Sequence, residues 1–537
     1  MHHHPEWFPS ERNWFVWYMC PSNLSIAMKN KAPIVPAASG PELFFGLVGA
    51  VGTDLDLAVN ALQDALRNAN YTSRVIKVID QLKAFKKYST RLEKPSIYDR
   101  YVARMDAGDD FRKASGLSHA LALVSMIAIR EQHRKAYSPK RSPKQPIPRC
   151  AYILKSLKHP AEVETLRRVY GPNFYLISAY TPRDIRVQNL VARVAASSSD
   201  SRTDKYRPDA ERLVSRDEDD FDNKFGQKVR GTFPKADCFI DARDPGRTKL
   251  AIQRFVELLF GNTFLTPTPS EYAMFHAQAA ALRSAALGRQ VGAAIATSDG
   301  DIIAVGSNEV PKCGGGQYWP TDSDDRRDFH LGYDPSDKKK KEVLAEILRT
   351  LRDHDWFRGS KKQKGEIDQL VKQALPILKS TRVMNLTEFG RVVHAEMAAL
   401  LDAARRGVEV KGHTMYTSTF PCHDCARHIV AAGIRDVVYI EPYPKSLASE
   451  FHLDSIAVDS SGPAPTQVRF EPFVGVAPRL YMKLFEMVER KASDGSVRRW
   501  SPAVASPRFA LSHNFYLEAE VDEIGLLIDA LERKKIQ

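Results

Sequence analysis

Two short stretches, Val393-His394-Ala395-Glu396 and Pro421-Cys422-His423-Asp424-Cys425, restrict the fold of this chain more than any other feature. The first opens a helical pattern that stops near Gly407, and the second opens another that stops at Gly433. Between them Thr414-Met415-Tyr416-Thr417-Ser418 reads as a strand, and Val437-Val438-Tyr439-Ile440 reads as the next. Alternation of helix and strand brings the two helix N-termini to one edge of a sheet, where partial positive charge and free amides favour thiolates. His394, Glu396, Cys422 and Cys425 are therefore expected at one edge.

One nitrogen and two sulfur donors leave a fourth tetrahedral position for water, which distinguishes a catalytic zinc from a closed structural one. The expected ligands are His394, Cys422 and Cys425, with Zn2+ as cofactor. Glu396, two residues from the ligand histidine, is placed to move a proton as the catalytic acid and base. A structural zinc knuckle needs a fourth ligand, and a redox Cys-x-x-Cys needs no histidine. His-x-Glu followed by Pro-Cys-x-x-Cys is the pattern of zinc nucleobase deaminases.

At these residues the chain resembles the cytidine and deoxycytidylate deaminase superfamily, over roughly residues 270–500. Thr417-Ser418-Thr419-Phe420-Pro421-Cys422, Glu441-Pro442-Tyr443-Pro444-Lys445-Ser446 and Gly306-Ser307-Asn308 resemble its deoxycytidylate branch. The resemblance implies that Asn308 contacts the sugar or phosphate of a bound nucleotide. Ala398 departs from the branch, which commonly has an asparagine shortly after His-Ala-Glu. Tyr443 and Lys445 follow a strand at the sheet edge where ligands bind, so stacking and phosphate contact are expected of them. Cys313, before Gly314-Gly315-Gly316, reads as a lone buried thiol rather than a second metal ligand.

A chain of 537 residues exceeds what one hydrophobic core usually serves, so two domains are expected. No apolar run approaches the roughly 20 residues of a membrane span, and no membrane role is expected. Six cysteines are too sparse for a disulfide framework, which points to a reduced, cytoplasmic setting. The net charge of +13 attracts phosphorylated small molecules, nucleic acid or acidic proteins, without choosing among them. Residues 1–40, which include His2, His3, His4 and an aromatic run but no basic region or cleavage site, form an unassigned extension.

Residues 41–265 alternate strand and helix and predict a parallel α/β sheet. Strands are expected at 43–48, 151–154, 174–177 and 238–240, with helices over 55–66 and 161–170. Gly46-Leu47-Val48-Gly49-Ala50-Val51-Gly52-Thr53-Asp54 resembles a P-loop after a strand, as in nucleotide kinases, which implies a phosphate cradle involving Gly46, Gly49, Gly52 and Thr53. The motif's closing Gly-Lys-Ser/Thr is replaced by Asp54, Leu55 and Asp56, so phosphoryl transfer is not expected. The loop then binds a nucleotide effector or serves as scaffold. Residues 268–505 follow as the second domain: a helix over 271–287 capped near Ser270, a hairpin around Asp299-Gly300, and an insertion at about 320–385 whose run Lys338 to Lys341 reads as a solvated face. Residues 506–537 are a helical tail.

The fold class is thus α/β, a P-loop kinase-like parallel sheet followed by a cytidine-deaminase-like three-layer α/β/α domain. This order is similar to bacterial anti-phage deoxycytidine nucleotide deaminases. That resemblance implies conversion of dCTP or dCMP to deoxyuridine nucleotides, which depletes dCTP during phage infection, together with an inhibitory small RNA and, by analogy, a homo-oligomer. Two other readings share the motif: a polynucleotide cytosine deaminase, and a non-catalytic zinc scaffold with a nucleotide-sensing domain.

Overall fold

The computed structural model describes residues 40–136, 146–198, 204–218, 225–354, 356, 367–378, 381–386, 389–442, 446–459, 466–511 and 515–534. Leu43–Gly49, buried at every position, forms the strand β1. Continuous burial of this kind marks a strand covered on both faces. β2 (Thr72–Lys77) and β3 (Cys150–Lys155) lie to one side of β1, and β4 (Phe174–Tyr180) and β5 (Cys238–Asp241) to the other, giving the parallel order β2-β3-β1-β4-β5. Side chains alternate across β1. Leu43, Phe45 and Leu47 meet the helices Leu55–Asn68 and Pro245–Leu259. Phe44 and Val48 meet the helices Ala120–Ala136, Pro160–Tyr170 and Phe515–Arg533.

The last of these helices lies in the segment read as a tail. Its Leu527 and Leu531 are buried in the core of the first sheet, and the Tyr516 hydroxyl donates to the buried Glu42 carboxylate. Glu42 also accepts from the Tyr152 hydroxyl and the Ile147 amide, and its Oε1 lies 3.0 Å from His133 Nε2.

The second sheet comprises β6 (Gly292–Ala296), β7 (Ile302–Ser307), β8 (Thr414–Thr419), β9 (Asp436–Glu441), β10 (Ile456–Val458) and β11 (Val468–Pro472), in the order β10-β11-β9-β8-β6-β7. The hairpin expected around Asp299-Gly300 joins β6 to β7, and Gly300 takes the φ of +94° that the turn requires. The helix Pro269–Ala281 covers one face, with Ala273, Met274 and Ala277 against Ala294, Ala296 and Tyr416. The helices Ala395–Arg406 and His423–Ala431 cover the other, with Ala399 and Ile429 against Ala293, Ile295, Met415 and Val437. This is the expected three-layer arrangement.

Two glycines set how closely the layers approach. A Cβ at Gly292 would lie 1.9 Å from the Ala277 carbonyl oxygen, and one at Gly306 would lie 2.2 Å from the Ala395 carbonyl oxygen and 2.4 Å from the Ala399 nitrogen. Gly306 therefore fixes the height of the Ala395–Arg406 helix above the sheet.

Several expectations shift. The first helix of the second half, whose cap was expected at Ser270 or a neighbour, is capped by Thr268 through a reciprocal bond with Glu271, and it ends at Ala281 rather than residue 287. Cys313 is exposed rather than buried, because its glycine-rich turn runs over the surface. The insertion carries the two helices Pro335–Asp353 and Ile367–Leu378. The two halves also interleave. β12 (Gly475–Val476) pairs antiparallel with β5, and Leu484 and Trp500 join the core of the first sheet. At the junction the buried Glu271 carboxylate accepts from Arg254, the Thr268 amide and the Val476 amide.

Candidate active site

Extended backbone at His394 (φ −65°, ψ 154°) caps the helix Ala395–Arg406, whose residues Ala395, Ala399, Leu400 and Ala403 face the sheet. Cys422 caps the helix His423–Ala431 in the same way, and its sulfur accepts from the Cys425 amide at 3.5 Å. The cap position and the third helical residue thus turn both sulfurs to one side. His394 Nδ1 lies 3.3 Å from Cys422 Sγ and 3.4 Å from Cys425 Sγ. Neighbouring ligands on a tetrahedron with zinc–sulfur and zinc–nitrogen bonds of ordinary length are about 3.5 Å apart. The three donors therefore fit zinc, and among the described residues they form a possible metal site.

Glu396 is buried, with Oε2 3.5 Å from Cys425 Sγ. Burial and the adjacent Cys422 charge push its carboxyl above the usual carboxylate range, which favours its protonated form more than water would. Hydrogen bonds from the Cys425 thiol and from His394 pull the Cys422 thiol down to about 4, so a thiolate is stabilised there; the bond to Cys422 in turn pushes His394 up to about 9. A cluster that stabilises negative charge at sulfur is a cation site.

A cavity of about 270 Å³ opens onto His394, Glu396 and Cys422. Asn308 lines it, with its side chain engaged: Oδ1 accepts from the Val291 amide at 2.7 Å and Nδ2 donates to the Arg289 carbonyl at 2.7 Å. Tyr443 and Lys445 lie outside the described residues. Three cations line the same cavity: Arg289, Arg391 and Lys340. Lys340 corrects the reading of its run as a solvated face. Its side chain is only 13% exposed, whereas Lys338, Lys339 and Lys341 face solvent. The run marked the segment, but only the phase of the helix Pro335–Asp353 selects which lysine turns inward.

The glycine-rich loop of the first half lines a separate cavity of about 360 Å³ through Gly49, Gly52 and Thr53. Gly46 does not reach it. It sits within β1, where a Cβ would meet Leu157 at 2.7 Å.

Residues 267–441 match a family model described as the cytidine and deoxycytidylate deaminase zinc-binding region. The deoxycytidylate deaminases of Enterobacteria phages T2 and T4 are each 48% identical to this chain over 54 residues, 10% of the chain and 29% and 28% of those proteins. The chain thus spans under a third of the length of these relatives. A probable deoxycytidylate deaminase of Drosophila melanogaster is 33% identical over 104 residues, 18% of the chain and 50% of that protein. The crystal structure of the cyanophage S-TIM5 dCMP deaminase in complex with dCMP and dUMP is similar at 17% identity and a TM-score of 0.22, covering 39% of this chain and 100% of that one. Among the described residues, no helix is long and apolar enough to cross a membrane. Over residues 267–441, the chain is thus similar to the zinc-binding region of cytidine and deoxycytidylate deaminases.

Proposed function

We propose that this protein hydrolytically deaminates deoxycytidine nucleotides, dCTP or dCMP, to deoxyuridine nucleotides. The observation that carries the reading is a buried carboxylate, Glu396, beside a His-Cys-Cys donor set at a cavity lined by three cations. His394, Cys422 and Cys425 would hold zinc, which would supply a Lewis acid able to activate water at neutral pH. Glu396 takes one proton from the attacking water and delivers it to N3 of the cytosine ring; it then takes the second from the hydroxyl now on C4 and gives it to the amino group, which leaves as ammonia while the C4 carbonyl forms. Arg289, Arg391 and Lys340 hold the phosphate, with the N-terminus of the helix Pro335–Asp353 at the same mouth. Asn308 keeps the loop at 289–291 against the cavity. Tyr443 and Lys445 complete the nucleotide contacts.

In the cell this activity depletes dCTP in defence against phage, in the cytoplasm, as a homo-oligomer held inactive by a small RNA. The first half, through Gly49, Gly52 and Thr53, senses a nucleotide effector. These finer roles rest on the order of the two halves and on the family resemblance. Purified protein incubated with dCMP, dCTP and a single-stranded cytosine oligomer releases ammonia from the free nucleotides. Conversion of the oligomer alone would replace this reading with a polynucleotide deaminase.

A further inference from the structure

The glycine-rich loop lacks its lysine, yet its anion position is filled. The Val51 amide donates to Asp217 Oδ2 at 2.6 Å, across 166 residues of sequence. The carboxylate comes from the helix Arg207–Glu218 and is fully buried. Lys158, from the segment after β3, bonds both Asp217 oxygens at 2.9 and 3.2 Å and the Gly49 carbonyl at 2.9 Å. A backbone amide of the loop and a lysine ammonium thus converge on one carboxylate, which is the pair of donors a phosphate requires.

Around this point lies the cavity of about 360 Å³. It sits at the C-terminal end of β1, from which the chain crosses to β2 on one side and where β4 lies on the other, the position at which open parallel sheets bind ligands. Two further polar atoms in its wall, Thr53 Oγ1 and Gln227 Oε1, are buried and make no hydrogen bond among the described residues, each belonging to a residue only 7% exposed. Buried polar atoms without partners are uncommon, and a ligand supplies what they lack. Lys155 and Arg104 also line the cavity and lean on the surface carboxylates Asp56 and Asp80 at 2.5 and 2.9 Å.

We propose that Asp217 is an internal stand-in for phosphate: a nucleoside phosphate binds this cavity by displacing the Asp217 carboxylate from the Val51 amide and from Lys158, which takes the place of the missing P-loop lysine. The inference rests on reading the loop as an anion cradle. Displacement frees the helix Arg207–Glu218 from the loop, so occupancy of the cavity is coupled to the position of that helix.

The test titrates full-length protein with inorganic pyrophosphate and with ATP, by calorimetry. Asp217→Asn removes the competing charge and tightens binding of both by about tenfold or more, because apparent affinity rises with the fraction of open sites. Lys158→Met abolishes binding while leaving the zinc content unchanged. Hydrogen exchange over 207–218 rises when wild-type protein binds pyrophosphate. Binding that is equal in wild type and Asp217→Asn overturns the stand-in and leaves the cradle intact. Absence of binding in wild type and Asp217→Asn alike overturns the cradle itself, and with it this proposal. Should Asp217→Asn melt early, the Lys158→Met titration and the exchange measurement on wild-type protein decide alone.

Discussion

The two sheets each place a polar site where helices begin beside strand ends, and the sites differ in what fills them. In the second half His394, Cys422 and Cys425 converge within hydrogen-bonding distance of one another, with Glu396 beside them. In the first half the loop amides and Lys158 are turned toward a carboxylate from a separate helix. One point gathers donors from two helix starts, and the other is filled by a carboxylate of its own chain. The difference follows from local sequence. The donor set lies within two helix starts and is held by cap geometry, whereas the loop is followed by Asp54, Leu55 and Asp56 and meets a lysine, Lys158, only from another segment.

Glu396→Gln tests the chemical half most severely. Turnover falls by about 10²–10⁴-fold, as expected for a general acid–base group, while zinc content by atomic absorption stays at the wild-type level. Loss of metal in this variant would instead make Glu396 part of the donor set. Gly306→Ala comes next, since its Cβ must push the Ala395–Arg406 helix outward. Overpacking of this kind costs about 1–3 kcal/mol, and a shift of the helix start carries His394 and Glu396 with it, lowering kcat by about 10²-fold. Unchanged kcat with a lowered Tm would show that the site tolerates the movement. Lys340→Ala raises KM for the nucleotide about tenfold with kcat little changed, the loss of one charged contact to a phosphate. An equal loss with deoxycytidine, which has no phosphate, would remove that role.

The smallest effect concerns the first half. Burial raises the Glu520 carboxyl to about 7, against hydrogen bonding from Tyr170 and the charges of His133 and Arg130. A folded-state value above the unfolded one means that the folded protein holds the proton more tightly. The stability this contributes is full below about pH 4.5 and is lost as pH rises through 7. Glu520→Gln cannot ionise, so its stability gains on wild type as pH rises from 5 to 8. Parallel stability profiles for the two proteins across that range would show that Glu520 does not titrate there.

The metal donors were legible because chemistry and cap position coincide in a few consecutive residues. The buried strands β1, β3 and β4 were legible because both their faces are covered and the apolar run is unbroken. β2 was not, since Thr72–Lys77 lies at a sheet edge and buries only Ile76. β12 is two residues long and owes its existence to β5. The contribution of Lys340 depends on which face its helix presents, and that of Asp217 on a contact 166 residues away in sequence, neither of which a local pattern encodes. Gly306 was read only as part of a nucleotide-contact motif, although its nearest neighbours are backbone atoms of the helix that carries Glu396.

The interleaving of the halves has a consequence for dissection. β12 closes the edge of the first sheet, the helix Phe515–Arg533 covers its other face, and one carboxylate, Glu271, ties the joint. A cut between the halves would strip Leu527 and Leu484 from their partners and leave bare apolar surface on the first sheet. The zinc region is therefore not a cartridge to be moved onto another scaffold. It is one side of a single folded body, and what unfolds one side exposes the other.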